Sequence, residues 1–131
     1  MLGIAIATTV DHTEYMTPVK RQGCGDCWAF AATSALEGTI AKTLGEAPKR
    51  LSEQQAVDCT NRTSKNRDRF GKDYAKMKGC DGGRMKGLWK FYMKYGAMLD
   101  EDYPYKGEEQ DCRHRDSKTI GKTLNYDKKA G

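Results

Sequence analysis

The sequence predicts an α+β domain in which helices dominate. Apolar residues recur at helical spacing in three stretches, at about 27–44, 52–59 and 84–95. Residues 1–10 and 119–124 are instead typical of strands. We expect 1–10 to be a leading strand because it is short and lacks the basic lead-in of a signal peptide. The 131 residues suffice for one domain at most.

The composition limits the classes of protein that are compatible with this chain. Hydrophobic residues make up 37% of it, below the usual share for a globular protein, so the core is adequate but not large. No stretch approaches the ~20 consecutive apolar residues that cross a bilayer, so we expect no membrane span.

The net charge of +5 is concentrated in residues 61–79, which hold seven Lys and Arg against two Asp. A nucleic-acid-binding protein would more often carry this charge on a helix or sheet face. We therefore interpret 61–79 as a solvated basic insertion loop and expect no nucleic-acid partner. Asn61 opens an Asn-Arg-Thr sequon, which is a weak signal for N-glycosylation.

The first helix carries one apolar stripe with a spacing of four. The stripe consists of Trp28, Ala32, Leu36, Ile40 and Leu44. Gly45 is a natural stop and Asp26 a natural N-cap. Cys27 then falls in the first turn, where unpaired N–H groups and the helix dipole favour the thiolate, the reactive form of a thiol.

The second and third helices have their own boundary signals. Pro48 ends the first connection, and Ser52 followed by Gln55 fits a capping box. We expect Leu51 and residues 56–57 to face inward. The third helix stops at Gly96 and presents an apolar face made of Leu88, Trp89, Tyr92 and Met93. A rigid aromatic corner, Tyr-Pro-Tyr, follows at 103–105.

Five cysteines are an odd number, which indicates one free thiol or an intermolecular bond. Fifteen different pairings would give two disulfides plus one free thiol. That pattern indicates an oxidising compartment. The C-x-x-C run at 24–27 also occurs in thiol oxidoreductases, but no βαβ pattern precedes it. A zinc site fits the sequence less well than a redox pair does, since only one close cysteine pair is present and the other cysteines are scattered. We expect no metal and no cofactor.

Four separated segments resemble the papain family of cysteine peptidases. The run Q-G-C-G-D-C-W, within 17–30, resembles the nucleophile segment of that family. Residues 51–59, 79–83 and 100–107 resemble three further motifs, in the right order. The resemblance implies a papain-like fold, of which residues 1–131 form the N-terminal, nucleophile-bearing half, mainly the helical left-hand lobe.

The resemblance also implies roles for individual residues. Cys27 would be the nucleophile, and Gln22 would donate to the oxyanion hole beside the Cys27 N–H. Gly83 would pair with the substrate backbone, and Met85 suggests an apolar P2 preference. The implied substrate-binding residues are Gly82, Gly83, Arg84, Met85 and Trp28. The implied disulfides are Cys24–Cys80 and Cys59–Cys112, with Cys27 free.

Three departures from the family pattern stand out. Gln22 lies five positions before Cys27 instead of six. Asp26 replaces the usual small residue, and a carboxylate there opposes formation of the thiolate. The basic insertion at 61–79 is longer than usual.

The catalytic base is not evident in this chain. In the family a histidine follows the cysteine by ~130–150 residues, which is beyond Gly131. His12 and His114 are expected to be surface residues. The sequence therefore predicts a lysosomal, vacuolar or extracellular endopeptidase that acts on polypeptides. A missing C-terminal lobe or second chain would supply His and Asn, so the chain alone would be inactive. The alternative is a non-catalytic structural or binding module derived from such a lobe.

Overall fold

The computed structural model describes residues 8–61, 70 and 77–121. All three predicted helices are confirmed: α1 (Cys27–Leu44), α2 (Glu53–Thr60) and α3 (Met85–Tyr95). Short 3-10 helices lie at Thr13–Tyr15, Gly79–Asp81 and Asp116–Lys118, and two short strands are β1 (Ala97–Met98) and β2 (Thr119–Ile120). No helix in these ranges is both long and apolar enough to cross a bilayer.

The two strands form a small antiparallel sheet, with Ala97 opposite Ile120 and Met98 opposite Thr119. The start of the strand predicted at 119–124 is thereby confirmed. Residues 122–131, which include the rest of it, lie outside the described residues. The leading strand predicted at 1–10 also lies mostly outside them, and its described part, 8–10, has no regular structure.

The core lies between α1, α2 and α3. The α1 stripe is buried from Trp28 to Ile40, whereas Leu44 at its end is 59% exposed. Gly45 ends the helix with a left-handed φ of 66°, as predicted. Ala32 is fully buried, and its carbonyl accepts a hydrogen bond from Trp89 Nε1 on α3 at 3.2 Å. Small residues on α1 thus let α3 pack closely against it.

Every residue of α2 is buried, including its polar ones. Ser52 caps the helix as predicted, since its Oγ accepts from the Gln55 N–H at 3.0 Å. The reciprocal half of the capping box does not form. The Gln55 amide instead accepts from the Met98 N–H at 2.7 Å and donates to the Gly96 carbonyl at 3.1 Å. This side chain therefore links α2 to β1 and to the end of α3.

The interpretation of 61–79 as one solvated loop is wrong for its buried residues, which include Phe70 and Met77. Phe70 is helical and 3% exposed, and Met77 is 1% exposed. The Phe70 ring packs edge-on against Phe91 and Tyr95 at centroid distances of 5.0 and 4.8 Å. Residues 62–69 and 71–76 lie outside the described residues, but Phe70 and Met77 belong to the core.

The expectation that His114 lies on the surface is also wrong. The side chain is buried, with Nδ1 2.9 Å from Gln55 Nε2 and Nε2 2.9 Å from Asp116 Oδ1. Because the Gln55 oxygen accepts from Met98, its nitrogen is the donor, and His114 Nδ1 must accept. The proton of the neutral ring is therefore assigned to Nε2, facing Asp116. His12 is exposed, as expected.

A buried ion cluster connects the segment before α1 to both α1 and α2. Lys20 Nζ contacts Glu37 Oε1 and Glu53 Oε1, and the three side chains are 4%, 1% and 0% exposed. Glu37 also accepts from the Leu51 N–H, and Glu53 accepts from the Thr33 hydroxyl. Burial raises the pKa of the Glu53 carboxyl, and the Lys20 ammonium opposes that shift.

We expect Lys20→Met to destabilise the chain by about 3–5 kcal/mol near neutral pH, because two buried carboxylates lose their shared cation. An acid whose pKa is raised on folding stabilises the protein at low pH, and this contribution is lost as the pH rises through the folded-state pKa. Without Lys20 the pKa of Glu53 should rise further. The loss should therefore be smaller at about pH 5 than at about pH 7.5, as measured by urea unfolding.

Arg50→Met is the matched control. Arg50 Nε lies 3.8 Å from Asp100 Oδ2 in a pair whose side chains are 46% and 25% exposed. Removing so exposed a pair should cost less than about 1 kcal/mol at either pH. Equal losses for the two variants would contradict the role assigned to burial.

Candidate functional site

Cys27 is the first residue of α1, its side chain is exposed, and its thiol is free. In the first turn of α1, the N–H groups of Ala29 and Phe30 donate hydrogen bonds to the Asp26 carbonyl. The N–H groups of Cys27 and Trp28 have no hydrogen-bond partner in the described part of the chain. Such free amides at a helix N-terminus favour an anion, either a thiolate or a developing oxyanion.

Asp26 was predicted to cap α1, but its side chain makes no capping hydrogen bond. The carboxylate instead turns inward and is fully buried. Its Oδ2 accepts a hydrogen bond from Tyr105 Oη at 2.7 Å, while Oδ1 is buried without a partner among the described residues. Burial and the Asp26 carboxylate raise the pKa of Tyr105 to about 12, so its hydroxyl remains a donor.

The loop before Cys27 has its own hydrogen bonds. Gln22 Nε2 donates to the Cys24 carbonyl at 2.6 Å, and the Gly23 N–H donates to Tyr105 Oη at 2.8 Å. An amide nitrogen carries two hydrogens, so one Gln22 N–H is left over for a ligand. Gln22 is exposed.

Both predicted disulfides are present, Cys24–Cys80 and Cys59–Cys112. Because Cys24 is bonded to Cys80, the C-x-x-C run is not a redox pair in this structure. Gly25 is required at the first bridge, since a Cβ there would lie 2.2 Å from the Cys80 carbonyl oxygen. The bridge thus holds the loop before Cys27 directly against the turn that contains Cys80.

That turn rests on Trp28. The indole Nε1 donates to the Gly79 carbonyl at 3.0 Å, and a Cβ on Gly83 would lie 2.5 Å from the indole ring. Trp28 is only 5% exposed, so it supports the turn from below. Gly82 has a φ of 122°, a conformation that side-chain-bearing residues rarely adopt.

The residues after this turn face outward. The Gly83 N–H and C=O make no hydrogen bond within the described ranges. Arg84 is exposed, and Met85 is 44% exposed and so does not pack in the core. Met77 fills the space behind them, with its sulfur 3.4 Å from the Arg84 amide nitrogen. An extended chain could therefore pair with Gly83 and contact Met85.

Sequence reasoning missed Tyr105 as part of the site. The Tyr-Pro-Tyr run indicated a rigid corner, but nothing in its spacing shows that the second hydroxyl lies between Gly23 and Asp26. Phe30, one turn into α1, holds the ring edge-on at a centroid distance of 5.2 Å.

Two other residues bear on the sequence-based interpretation. His114 has both ring nitrogens bound, by Gln55 and Asp116, so it is not placed to act as a base for Cys27. Asn61 is 8% exposed, which disfavours glycosylation of the folded chain, and its sequon partner Thr63 lies outside the described residues.

Comparisons with known proteins agree with this geometry. A family model described as papain family cysteine protease matches residues 6–130. A cathepsin L-like protein of Caenorhabditis elegans is 40% identical over 83% of this chain and 29% of its own length. Pro-cathepsin H of Bos taurus is 38% identical over 81% of this chain and 28% of its own length. The chain thus spans under a third of these relatives.

Solved structures support the predicted α+β fold class. Digestive procathepsin L 3 of Tenebrio molitor larval midgut matches with a TM-score of 0.66 and 33% identity, over 82% of this chain and 32% of its own. The proform of Amb a 11, a ragweed pollen cysteine protease, matches with a TM-score of 0.61 and 39% identity, over 76% of this chain and 27% of its own. The helix-rich chain with its small sheet matches the helical lobe of a papain-like fold.

We expect Gly83→Ala to destabilise the chain by about 1–3 kcal/mol, because the new methyl overlaps the Trp28 ring and one of them must move. Thermal unfolding measures the loss, and Trp28 fluorescence reports the displacement. Gly38→Ala is the control: its Cβ would meet only the Tyr15 carbonyl, at 3.5 Å. Alanine is favoured within a helix, so this control should be at least as stable as the parent. Similar losses in both would refute the contact.

Proposed function

This chain belongs to the papain family of cysteine proteases, and we propose that it carries the nucleophile of a cysteine endopeptidase that acts by acyl transfer. The observation that supports this most strongly is the Cys27 thiol. It is free and exposed at the first residue of α1, beside two amides with no partner in the described part of the chain. Unpaired amides at a helix N-terminus stabilise negative charge that lies beside them.

The proposed reaction has two steps. The Cys27 thiolate adds to the scissile carbonyl carbon, and the C=O electron pair moves to the oxygen. The C–N bond then breaks, and the amine leaves with a proton from a histidinium, so that a thioester remains on Sγ. In the second step the neutral imidazole takes a proton from water as it adds to the thioester. The carboxylic acid product leaves and the thiolate is restored.

The oxyanion formed in each step needs hydrogen-bond donors. We propose the Cys27 N–H as one donor and the remaining Gln22 side-chain N–H as the other. One such donor is worth about 2.7–4 kcal/mol in the transition state. The free Cys27 amide supports the first assignment, and the exposed Gln22 amide supports the second.

We propose that the substrate lies along the turn after Cys80. The unpaired Gly83 main chain would form strand-like hydrogen bonds with it. The exposed Met85 side chain would contact an apolar P2 residue, with Gly82 and Arg84 beside it. Trp28 would contribute by holding Gly83 in place.

The histidine and asparagine of the family would come from a C-terminal lobe or a second chain, and residues 1–131 would form the N-terminal half of the catalytic domain. Two disulfides favour a lysosomal, vacuolar or extracellular location.

The alternative function is a non-catalytic binding or structural module. The buried Asp26 carboxylate next to the nucleophile position favours it, because a negative charge there opposes a thiolate. Titrating Cys27 alkylation against pH separates the two functions. Reactivity that persists well below the pH at which an ordinary thiol ionises indicates a catalytic thiol, and an ordinary profile with the second lobe present indicates a module.

We expect the 131-residue chain alone to show no turnover of peptide substrates, because His114 is held by Gln55 and Asp116 and His12 lies beside Tyr15. Combined with a histidine-bearing lobe, it should cleave peptides, and Cys27→Ala should abolish that activity. Turnover by the purified chain alone, lost in Cys27→Ala, would contradict the need for a second lobe.

We expect Met85→Glu in the assembled enzyme to lower kcat/KM about tenfold for substrates with leucine at P2, because a carboxylate would replace an apolar contact. Cleavage of substrates with a basic residue at P2 should rise relative to cleavage of substrates with leucine at P2. Met16→Glu is the control, since Met16 is 54% exposed in the segment before α1. An unchanged P2 preference in Met85→Glu would show that Met85 does not contact this residue.

A further inference from the structure

One hydroxyl joins the two ends of the loop that precedes the nucleophile. Tyr105 Oη accepts from the Gly23 N–H at 2.8 Å and donates to Asp26 Oδ2 at 2.7 Å. Gly23 is the residue directly after Gln22, and Asp26 is the residue directly before Cys27. The Tyr105 hydroxyl therefore forms a bridge between the Gln22–Gly23 segment and the start of α1.

The Tyr105 ring has little freedom to move. Phe30 packs edge-on against it, with the ring centroids 5.2 Å apart and the planes at 81°. A Cβ on Gly23 would lie 3.3 Å from the Tyr105 hydroxyl and 3.0 Å from the Gly107 Cα. The main chain at Gly23 thus lies directly against residues 105–107. The hydroxyl is positioned by packing as well as by its hydrogen bonds.

The Asp26 end of the bridge is equally fixed. The carboxylate is fully buried, and within the described ranges its side chain accepts a hydrogen bond only from Tyr105, through Oδ2. A buried carboxylate that loses its donor is strongly unfavourable, so the hydroxyl and the carboxylate hold each other in one arrangement.

We propose that Tyr105 is a positioning residue for the oxyanion donors and that Asp26 anchors it. This inference rests on the proposed peptidase function. The bridge sets the distance between Gln22 and the Cys27 N–H, which are five positions apart in the sequence. Asp26 thereby has a role that a small residue at this position could not perform, since serine or alanine would not carry a carboxylate to Tyr105.

Amide hydrogen exchange in the 131-residue chain tests the bridge itself. In Tyr105→Phe the ring stays, but the Gly23 N–H loses its acceptor, and we expect its exchange to accelerate about tenfold. Asp26→Asn keeps an acceptor for Tyr105 and should preserve protection of Gly23. Asp26→Ala should reduce this protection.

Tyr103→Phe is the matched control. Tyr103 lies in the same Tyr-Pro-Tyr segment, and its buried hydroxyl also donates to a carboxylate, Asp58 Oδ2, at 2.7 Å. This variant should lower global stability without selectively accelerating exchange at Gly23. Unchanged Gly23 exchange in Tyr105→Phe, or the same acceleration in Tyr103→Phe, would overturn the inference.

A kinetic comparison in the assembled enzyme tests positioning. Acylation by a peptide p-nitrophenyl ester forms an oxyanion, whereas alkylation by iodoacetamide does not. Tyr105→Phe should therefore slow acylation about tenfold or more and change alkylation less than twofold. Tyr103→Phe should change the ratio of the two rates by less than twofold.

The outcomes separate the inference from the function on which it rests. A parent enzyme that is alkylated but never acylated would refute the proposed function, and the positioning role with it, whatever exchange at Gly23 shows. A parent that is acylated, with Tyr105→Phe slowed equally in both reactions or in neither, would refute the positioning role alone.

Discussion

The disulfide between Cys24 and Cys80 is the constraint on which the candidate site depends. It joins residues 56 positions apart in sequence and places the Gly25 main chain in contact with the Cys80 carbonyl. In the chain-entropy model a loop of this length stabilises the folded state by about 4 kcal/mol. Trp28 then fills the space beneath the turn. The proposed nucleophile, Cys27, and the proposed substrate-binding backbone are thus two sides of one cross-linked unit.

Beneath the site the protein buries charge that it compensates with specific partners. Lys20 forms ion pairs with two carboxylates, one on α1 and one on α2, while Asp26 accepts a hydrogen bond from a single phenol. Buried charges of this kind contribute little net stability, but removing one partner is costly. They therefore restrict the number of arrangements available to the loops around Cys27 more than they strengthen the fold.

Helix α2 organises the loop that supplies Tyr105. Gln54 accepts from the Lys106 N–H and donates to the Glu108 carbonyl, and Asp58 accepts from the Gln110 N–H. Buried main-chain groups must find partners, and this loop finds them in polar side chains because no strand lies alongside it in the described part of the chain. The position of Tyr105 at the site thus depends on the polar face of a helix that is buried throughout.

Much of this protein was determined by local patterns in the sequence. Apolar spacing placed the three helices, Ser52 marked the start of α2 and Gly45 the end of α1. These features depend on residues within one or two turns of each other, so periodicity and capping chemistry suffice to predict them. The motif resemblance added both disulfides and the free Cys27.

The tertiary structure alone decided where the polar side chains go. From the sequence, Asp26 was predicted to cap α1 and His114 to lie on the surface. Residues 61–79 were predicted to form a solvated loop. Asp26 instead turns inward to a phenol 79 positions away, and His114 to an amide 59 positions away. Phe70 enters the core in the same way, through contacts with α3. Asp26 and His114 are buried beside partners that are distant in sequence, and local sequence carries no information about those partners.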